Sequence, residues 1–362
     1  GQFVPDEGSQ FMPPTQTALR EKLKGKKESF PEALPVRYKK DDKGRFIIDP
    51  ETEKPTVEKI AYDLHNTPLA QQAVKGIKGE DKRKAAIAEA YAKKMVEHVR
   101  SVENDPTITV GKQWYKIARE KIKKVFGDDS WTFAQLLGAT SARTPVDINF
   151  KQALDAYNQF KQGSYDETIK RYAEALKKFD AGELTDDGRV VTPGKFRAYL
   201  EKEGLIPRQS NGEKFNANSL QVLNVMAGVW AERVKGPKTP NFAGNLSGKT
   251  LEATIDVWAA RNLHRLGSEG FKERWRIPFE AETSVPDPDF YLAQEAYRRA
   301  AKELGMNPDD LQGLLWFAEK HLREERGWTK NMGAKKSDFN ALLDAIKKEP
   351  SGKLRLEFAN EK

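Results

Sequence analysis

Two side chains stand where chemistry is easiest to place. Lys238 follows Gly236-Pro237, a tight-turn pair, and the spacing predicts a helix opening there. A helix start exposes backbone N–H groups, which beside Lys235 and Lys238 suit a phosphate. Eighteen residues on, Ala253-Thr254-Ile255 reads as a short approach to a second helix, with Asp256 at its N-cap. Backbone donors reach a carboxylate at that position, and the helix dipole favours its negative charge. An amine and a carboxylate together can perform a nucleophilic displacement with electrostatic or proton-transfer help. Each also has an ordinary alternative, a solvated lysine and a plain cap, and capping is compatible with catalysis.

Composition narrows the remaining chemistry. The 362 residues contain no Cys, which removes disulfides, thiol nucleophiles, iron–sulfur clusters and zinc ribbons. His65, His98, His264 and His321 form no close pair. The acids Glu280, Glu282, Asp287 and Asp289 lie in a Pro-rich run without fixed spacing, so no metal site is assigned. Lys and Arg number 62 against 54 Asp and Glu, and the net charge of +8 points only modestly toward nucleic acid. No run approaches the length of an apolar span, and the start GQFVPDEGSQ lacks both a basic and an apolar leader region, so neither membrane nor signal peptide is expected.

The elements that must hold these residues are helices. Ile87, Tyr91, Met95 and Val99 recur every four residues. Similar stripes run through Trp114, Ala118, Ile122 and Phe126; through Phe150, Leu154, Tyr157 and Phe160; and through Ile169, Tyr172, Leu176 and Phe179. Leu220, Leu223, Met226 and Trp230 form another, Leu311, Leu315, Ala318 and Leu322 a later one, and Phe339, Leu342, Leu343 and Ile346 predict a short final helix. Residues 36–48 place β-formers around Asp41-Asp42-Lys43-Gly44, which predicts one hairpin. The expected fold is all-α with a flexible N-terminal arm. Its divisions are a basic arm over 1–55 containing the hairpin, a helical extension over 56–105, a helical core over 106–335, and a C-terminal helix and tail over 336–362.

With Lys238 and Asp256 in place, the sequence resembles the helix-hairpin-helix DNA glycosylase superfamily over about residues 131 to 270. Gly236-Pro237-Lys238-Thr239 is similar to that family's Gly-x-Lys-Thr-Ala turn, and Thr254-Ile255-Asp256-Val257-Trp258 to its Val-Asp-Thr-His/Asn segment. Upstream, Leu136-Leu137-Gly138-Ala139-Thr140-Ser141 through Val146-Asp147-Ile148-Asn149 resembles its Leu-Leu-Ser-x-Gln-x-Thr-x-x-x-Val-Asn junction. The pattern also looks like a phage- and mobile-element-associated branch with a Leu-Ser-Gly-Pro-Lys-Val type turn. Two departures stand out: Glu232-Arg233-Val234-Lys235-Gly236 replaces the usual Leu-Pro-Gly-Val-Gly, and Trp258 takes the usual His/Asn place.

The resemblance implies a glycosylase-like helical core and a cytoplasmic enzyme of a bacterial or phage-infected cell. It would act as a monomer on double-stranded DNA with a flipped nucleotide, without cofactor or metal. Lys238 would be the nucleophile that forms a Schiff base, and Asp256 would stabilise the charge on the sugar. Arg233, Lys235, Gly236, Thr239, Arg261 and Asn149 would grip DNA, and Trp230, Trp258, Thr140 and Ser141 would line the base pocket, with Trp114 and Tyr115 as lesser candidates. Two alternatives remain: a glycosylase-fold transferase that hypermodifies phage DNA bases, and a noncatalytic DNA-binding or virion-associated helical protein.

Overall fold

A computed structural model describes residues 32–33, 36–49, 53–141, 144, 146–215, 219–269, 275–277, 281–283, 285–325 and 339–358. The described chain is mostly helical, with two short antiparallel strand pairs, one parallel pair and a few isolated bridges. It divides into two units, each assembled from distant segments. One comprises Lys116–Thr250 with the described C-terminal segment; the other comprises the described chain from Glu32 to Tyr115 with the stretch from Leu251 through the helix Pro308–Glu325. The expected division into a 56–105 extension and a 106–335 core is therefore corrected. One cluster of buried residues runs from Tyr62 to Ile108 and resumes from Ala253 to Ala318, so residues 56–105 are half of a core rather than an appendage to one.

In that unit the helix Glu80–Val102 buries Ile87, Tyr91, Met95 and Val99, the stripe read from the sequence, and packs against Asp287–Leu304. Glu80 and Asp81 in its first turn and Arg100 in its last complement the helix dipole. The Tyr91 hydroxyl is shared with Thr67 Oγ1 at 2.6 Å and with the Leu64 carbonyl at 2.9 Å, tying the preceding loop to the helix. The expected hairpin is present: Lys40 bridges Phe46 around a turn in which Asp41 Oδ1 accepts the N–H of Lys43 and of Arg45, both at 2.9 Å. A third segment at Val57 bridges Tyr38, so three segments rather than two are joined there, by isolated bridges. Further on, the turn Val110–Gln113 meets the helix Pro308–Glu325 at two glycines. A Cβ on Gly111 would lie 2.6 Å from the Gly313 carbonyl oxygen, and one on Gly313 would lie 2.5 Å from that of Gly111.

The other unit is organised around Ser130–Thr140, a helix buried on most sides, which packs against Val146–Lys161, Ser219–Met226 and Lys238–Ser247. Phe126 stacks on Phe133 at 3.8 Å, and Phe150 meets Phe133 edge-on at 5.6 Å. A second cluster joins Tyr172, Leu176, Phe196, Leu200 and Leu223. The final helix ends at Asp344, so the expected continuation to Ile346 is corrected: Ile346–Lys348 is a strand paired antiparallel with Leu354–Leu356. Among the described residues no helix is long and apolar enough to cross a membrane.

Candidate functional site

Lys238 is the first residue of the helix Lys238–Ser247, entered through Gly236 at φ +76°, a left-handed turn that glycine adopts without strain. The lysine is partly buried and makes no ion pair or hydrogen bond among the described residues. Beneath it the helix lies on Ser130–Thr140 at Gly138. A Cβ there would sit 3.0 Å from the Trp230 ring, 3.1 Å from the Thr239 carbonyl oxygen and 3.3 Å from the Ala243 Cβ. The two upstream motifs, Leu136–Asn149 and Gly236–Thr239, are thus neighbours in one unit.

Most of the polar residues expected to face DNA there are engaged elsewhere. Thr140 Oγ1 donates to Asn149 Oδ1 at 2.5 Å and to the Leu136 carbonyl at 2.7 Å, and both side chains are buried. Ser141 Oγ donates to the Gly138 carbonyl at 2.8 Å. Arg233 pairs with Asp180, so its charge is already balanced. Trp230 is 1% exposed, a core residue rather than an open stacking surface. Lys235 and Gly236 are exposed, and Thr239 is partly buried.

Asp256 belongs to the other unit. Ala253, Thr254 and Ile255 lead in as buried extended chain, held by Gln294 Nε2 donating to the Ala253 carbonyl at 3.1 Å. Asp256 is the N-cap of Val257–Ser268, as the sequence predicts, and its Oδ1 accepts the Ala259 N–H at 2.9 Å. Its Oδ2 carries no hydrogen bond among the described residues, and the residue is partly exposed. Behind it the helix is strongly charged and buried. Arg261, expected to hold a phosphate, is 3% exposed and forms a two-pronged pair with Glu282, whose Oε1 also accepts the Tyr62 hydroxyl at 2.7 Å. That expectation is corrected, because a guanidinium locked to a buried carboxylate does not face a DNA strand. Burial disfavours its charge, but Glu282 more than offsets this and holds Arg261 above the ordinary guanidinium range.

Trp258 is buried beneath Arg261, 4.3 Å from guanidinium carbon to ring centroid, and Trp316 meets it edge-on at 6.4 Å. It too is a packed ring, not an open pocket wall. A feature the sequence reading missed lies one turn further along. Glu319 is fully buried and accepts Arg265 Nε at 2.8 Å, Arg323 Nε at 2.7 Å and Asn262 Nδ2 at 3.1 Å. The signal was available: Arg261, Asn262, His264 and Arg265 interrupt the apolar face of one helix, and Glu319 and Arg323 are spaced i,i+4 on another. Of the acids weighed as a metal cluster, Glu282 is occupied by Arg261 and Asp289 accepts the Leu64 N–H at 2.7 Å, while Glu280 lies outside the described residues. No group of three such side chains among the described residues could hold a metal ion.

Residues 204–326 match a family of unknown function (DUF7178). No curated protein and no solved structure matches the chain. The matched segment contains Lys238, Asp256, Glu282 and Glu319, and so draws on both units.

The buried charges predict a pH dependence. Burial and then the nearby Arg323 push the His264 imidazole down to about 4 from its ordinary 6.5, opposed by Glu319; the Tyr62 ring lies 5.0 Å away. The unfolded chain takes up a proton near the ordinary value and the folded chain does not. His264's contribution is therefore complete above 6.5, falls as pH drops from 6.5 to about 4, and is flat below that. The loss across that window is up to ~3 kcal/mol. Urea midpoints are expected to fall between pH 7 and pH 5, and a His264→Gln variant should flatten the slope. An equally steep slope in the variant would refute this assignment.

Proposed function

We propose that the chain is a DNA glycosylase with lyase capability, acting as a monomer on double-stranded DNA with an extruded base. The observation that carries this reading is the state of Asp256. One carboxylate oxygen is fixed by the helix cap at 2.9 Å from the Ala259 nitrogen, and the other is uncommitted on a partly exposed residue. A carboxylate held in one orientation with a free oxygen suits stabilisation of an oxocarbenium-like sugar. Lys238 adds a partly buried amine, without an ionic partner among the described residues, at a glycine-made turn. In this chemistry the Lys238 nitrogen bonds to the sugar C1′ as the C1′–base bond breaks, and the departing base carries away the bonding pair. The departing base takes up one amine proton, and sugar ring opening, with the other passing to O4′, gives an imine.

The test is borohydride reduction in the presence of abasic or base-modified duplex DNA. Wild type should yield a covalent protein–DNA adduct, Lys238→Ala none, and Asp256→Asn far less, by about a hundredfold or more in rate. No adduct on any substrate would end the lyase reading.

The burial of Arg261, Asn149 and Trp230 argues against an open base pocket and leaves a second reading, a noncatalytic DNA-binding or virion-associated helical protein. Salt-dependent DNA affinity unchanged by Asp256→Asn, with no strand scission, would select it.

A further inference from the structure

The helix Trp114–Phe126 buries Ala118, Ile122 and Phe126 and leaves Lys116 and Lys123 exposed on its outer side. Seven residues separate the two lysines, which puts them two turns apart along one line. Glu120 stands between them, four residues from one and three from the other, a spacing at which helical ion pairs form. Such pairs are made on other helices of the chain: Lys94 with Glu97 at 3.0 Å, Arg197 with Glu201 at 3.2 Å and Arg299 with Glu295 at 2.8 Å. Lys116 and Lys123 make none among the described residues, so their charges face solvent.

That line runs beside one end of the helix Lys238–Ser247. Arg119, a turn from either lysine, donates Nη1 to the Asn245 carbonyl at 3.1 Å, and its Cδ lies 3.3 Å from where a Cβ on Gly248 would stand. The next residue, Lys249, is exposed, and its ammonium sits 4.1 Å from the Trp131 ring centroid, which fixes its place without neutralising it. Lys235 and Lys238 stand at the opposite end, and Lys238 is about 10 Å from Asn245 along the helix axis. The stretches 114–126 and 230–249 hold nine Lys and Arg against two acids, Glu120 and Glu232. Of the nine, Lys121 is paired with Asp344 and Arg233 with Asp180. The remaining lysines form a row rather than a cluster. A small anion needs cations that converge on one point, whereas a row meets an anion that repeats. A duplex supplies one, with a phosphate about every 3.4 Å along each strand.

We propose that Lys116, Lys123 and Lys249 hold the sugar–phosphate backbone of duplex DNA, continuing a row that Lys235 and Lys238 begin. The proposal rests on the glycosylase reading only for its partner, duplex DNA, and requires no chemistry of Lys238. The test is fluorescence anisotropy of a labelled duplex titrated with the full chain across a range of salt. Lys116→Gln, Lys123→Gln and Lys249→Gln together should lower the log–log salt slope by about 0.9 per lysine. Lys116→Arg, Lys123→Arg and Lys249→Arg together should keep the wild-type slope, which separates lost charge from lost folding. Lys170, Lys178 and Lys195 are exposed on other helices of the same unit and make no ion pair among the described residues. Changing those three to Gln removes the same charge and should leave the slope as it is. A slope unaltered by the first triple overturns the proposal, as does an equal fall in the Lys170, Lys178 and Lys195 triple, which would mean that net charge alone is read. Loss of the slope in the arginine triple, or no duplex binding by wild type, overturns it as well. A wild type that shows this slope yet gives no borohydride adduct ends the lyase reading and leaves the row standing.

Discussion

A Glu319→Gln variant is expected to lose about 3–5 kcal/mol of stability. Glu319 is fully buried, and its two oxygens hold Arg265, Arg323 and Asn262. Burial by itself raises its pKa, but the charges of Arg265 and Arg323 and the hydrogen bonds they donate outweigh this and hold the carboxyl well below the usual carboxylate range. The two arginine side chains are only 15% and 10% exposed, so a neutral amide at position 319 strands both without a counter-charge. Glutamine preserves volume, which assigns the loss to charge rather than to a cavity. The measurement is the urea midpoint followed through the fluorescence of Trp258 and Trp316, which belong to the same unit. The midpoint should fall with little change in slope. Breaking the exposed Glu80–Lys84 pair should leave that midpoint unmoved. A Glu319→Gln protein as stable as wild type would mean that water already solvates the two guanidiniums.

That cluster marks where sequence reading succeeds and where it stops. Helices declared themselves because a buried stripe must recur near 3.6 residues, and Ile87, Tyr91, Met95 and Val99 are all buried on one helix. The cap at Asp256 was legible because capping is local. Ile346 continues the Phe339 and Leu342 spacing and yet starts a strand, since periodicity alone does not record that the backbone has changed direction. Pro350, Ser351 and Gly352, the last at φ +86°, were the overlooked turn signal. Division into two interleaved units depends on contacts between residues some two hundred positions apart, such as Leu64 with Asp289, and no local pattern encodes them. Residue type was a weak guide to facing. Arg261 and Asn149 are the kinds of side chain that grip phosphates, but an arginine or asparagine can also be buried when a partner satisfies it, and Glu282 and Thr140 are those partners.

Trp230 turns that ambiguity of facing into a measurement. A base-stacking tryptophan projects into a cleft, so its removal costs DNA affinity or activity and leaves stability nearly unchanged. The structure places Trp230 at 1% exposure against Gly138, where the chain has left no room for a methyl group. Trp230→Ala is therefore expected to cost about 3–5 kcal/mol through lost burial and the cavity left behind. Its Nε1 has no hydrogen-bond partner among the described residues, so Trp230→Phe forfeits volume but no hydrogen bond seen there and should cost less. Gly138→Ala should cost about 1–3 kcal/mol by overpacking against the ring, the Thr239 carbonyl and Ala243. If the ring is the neighbour that crowds position 138, Gly138→Ala should be better tolerated in the Trp230→Phe background. The double variant should then be more stable than the sum of the single losses, by about 0.5 kcal/mol or more. Strict additivity would show that the backbone of the Lys238–Ser247 helix, rather than the indole, sets the limit at Gly138. Full stability in Trp230→Ala would restore the open base pocket that the burial of this ring argues against.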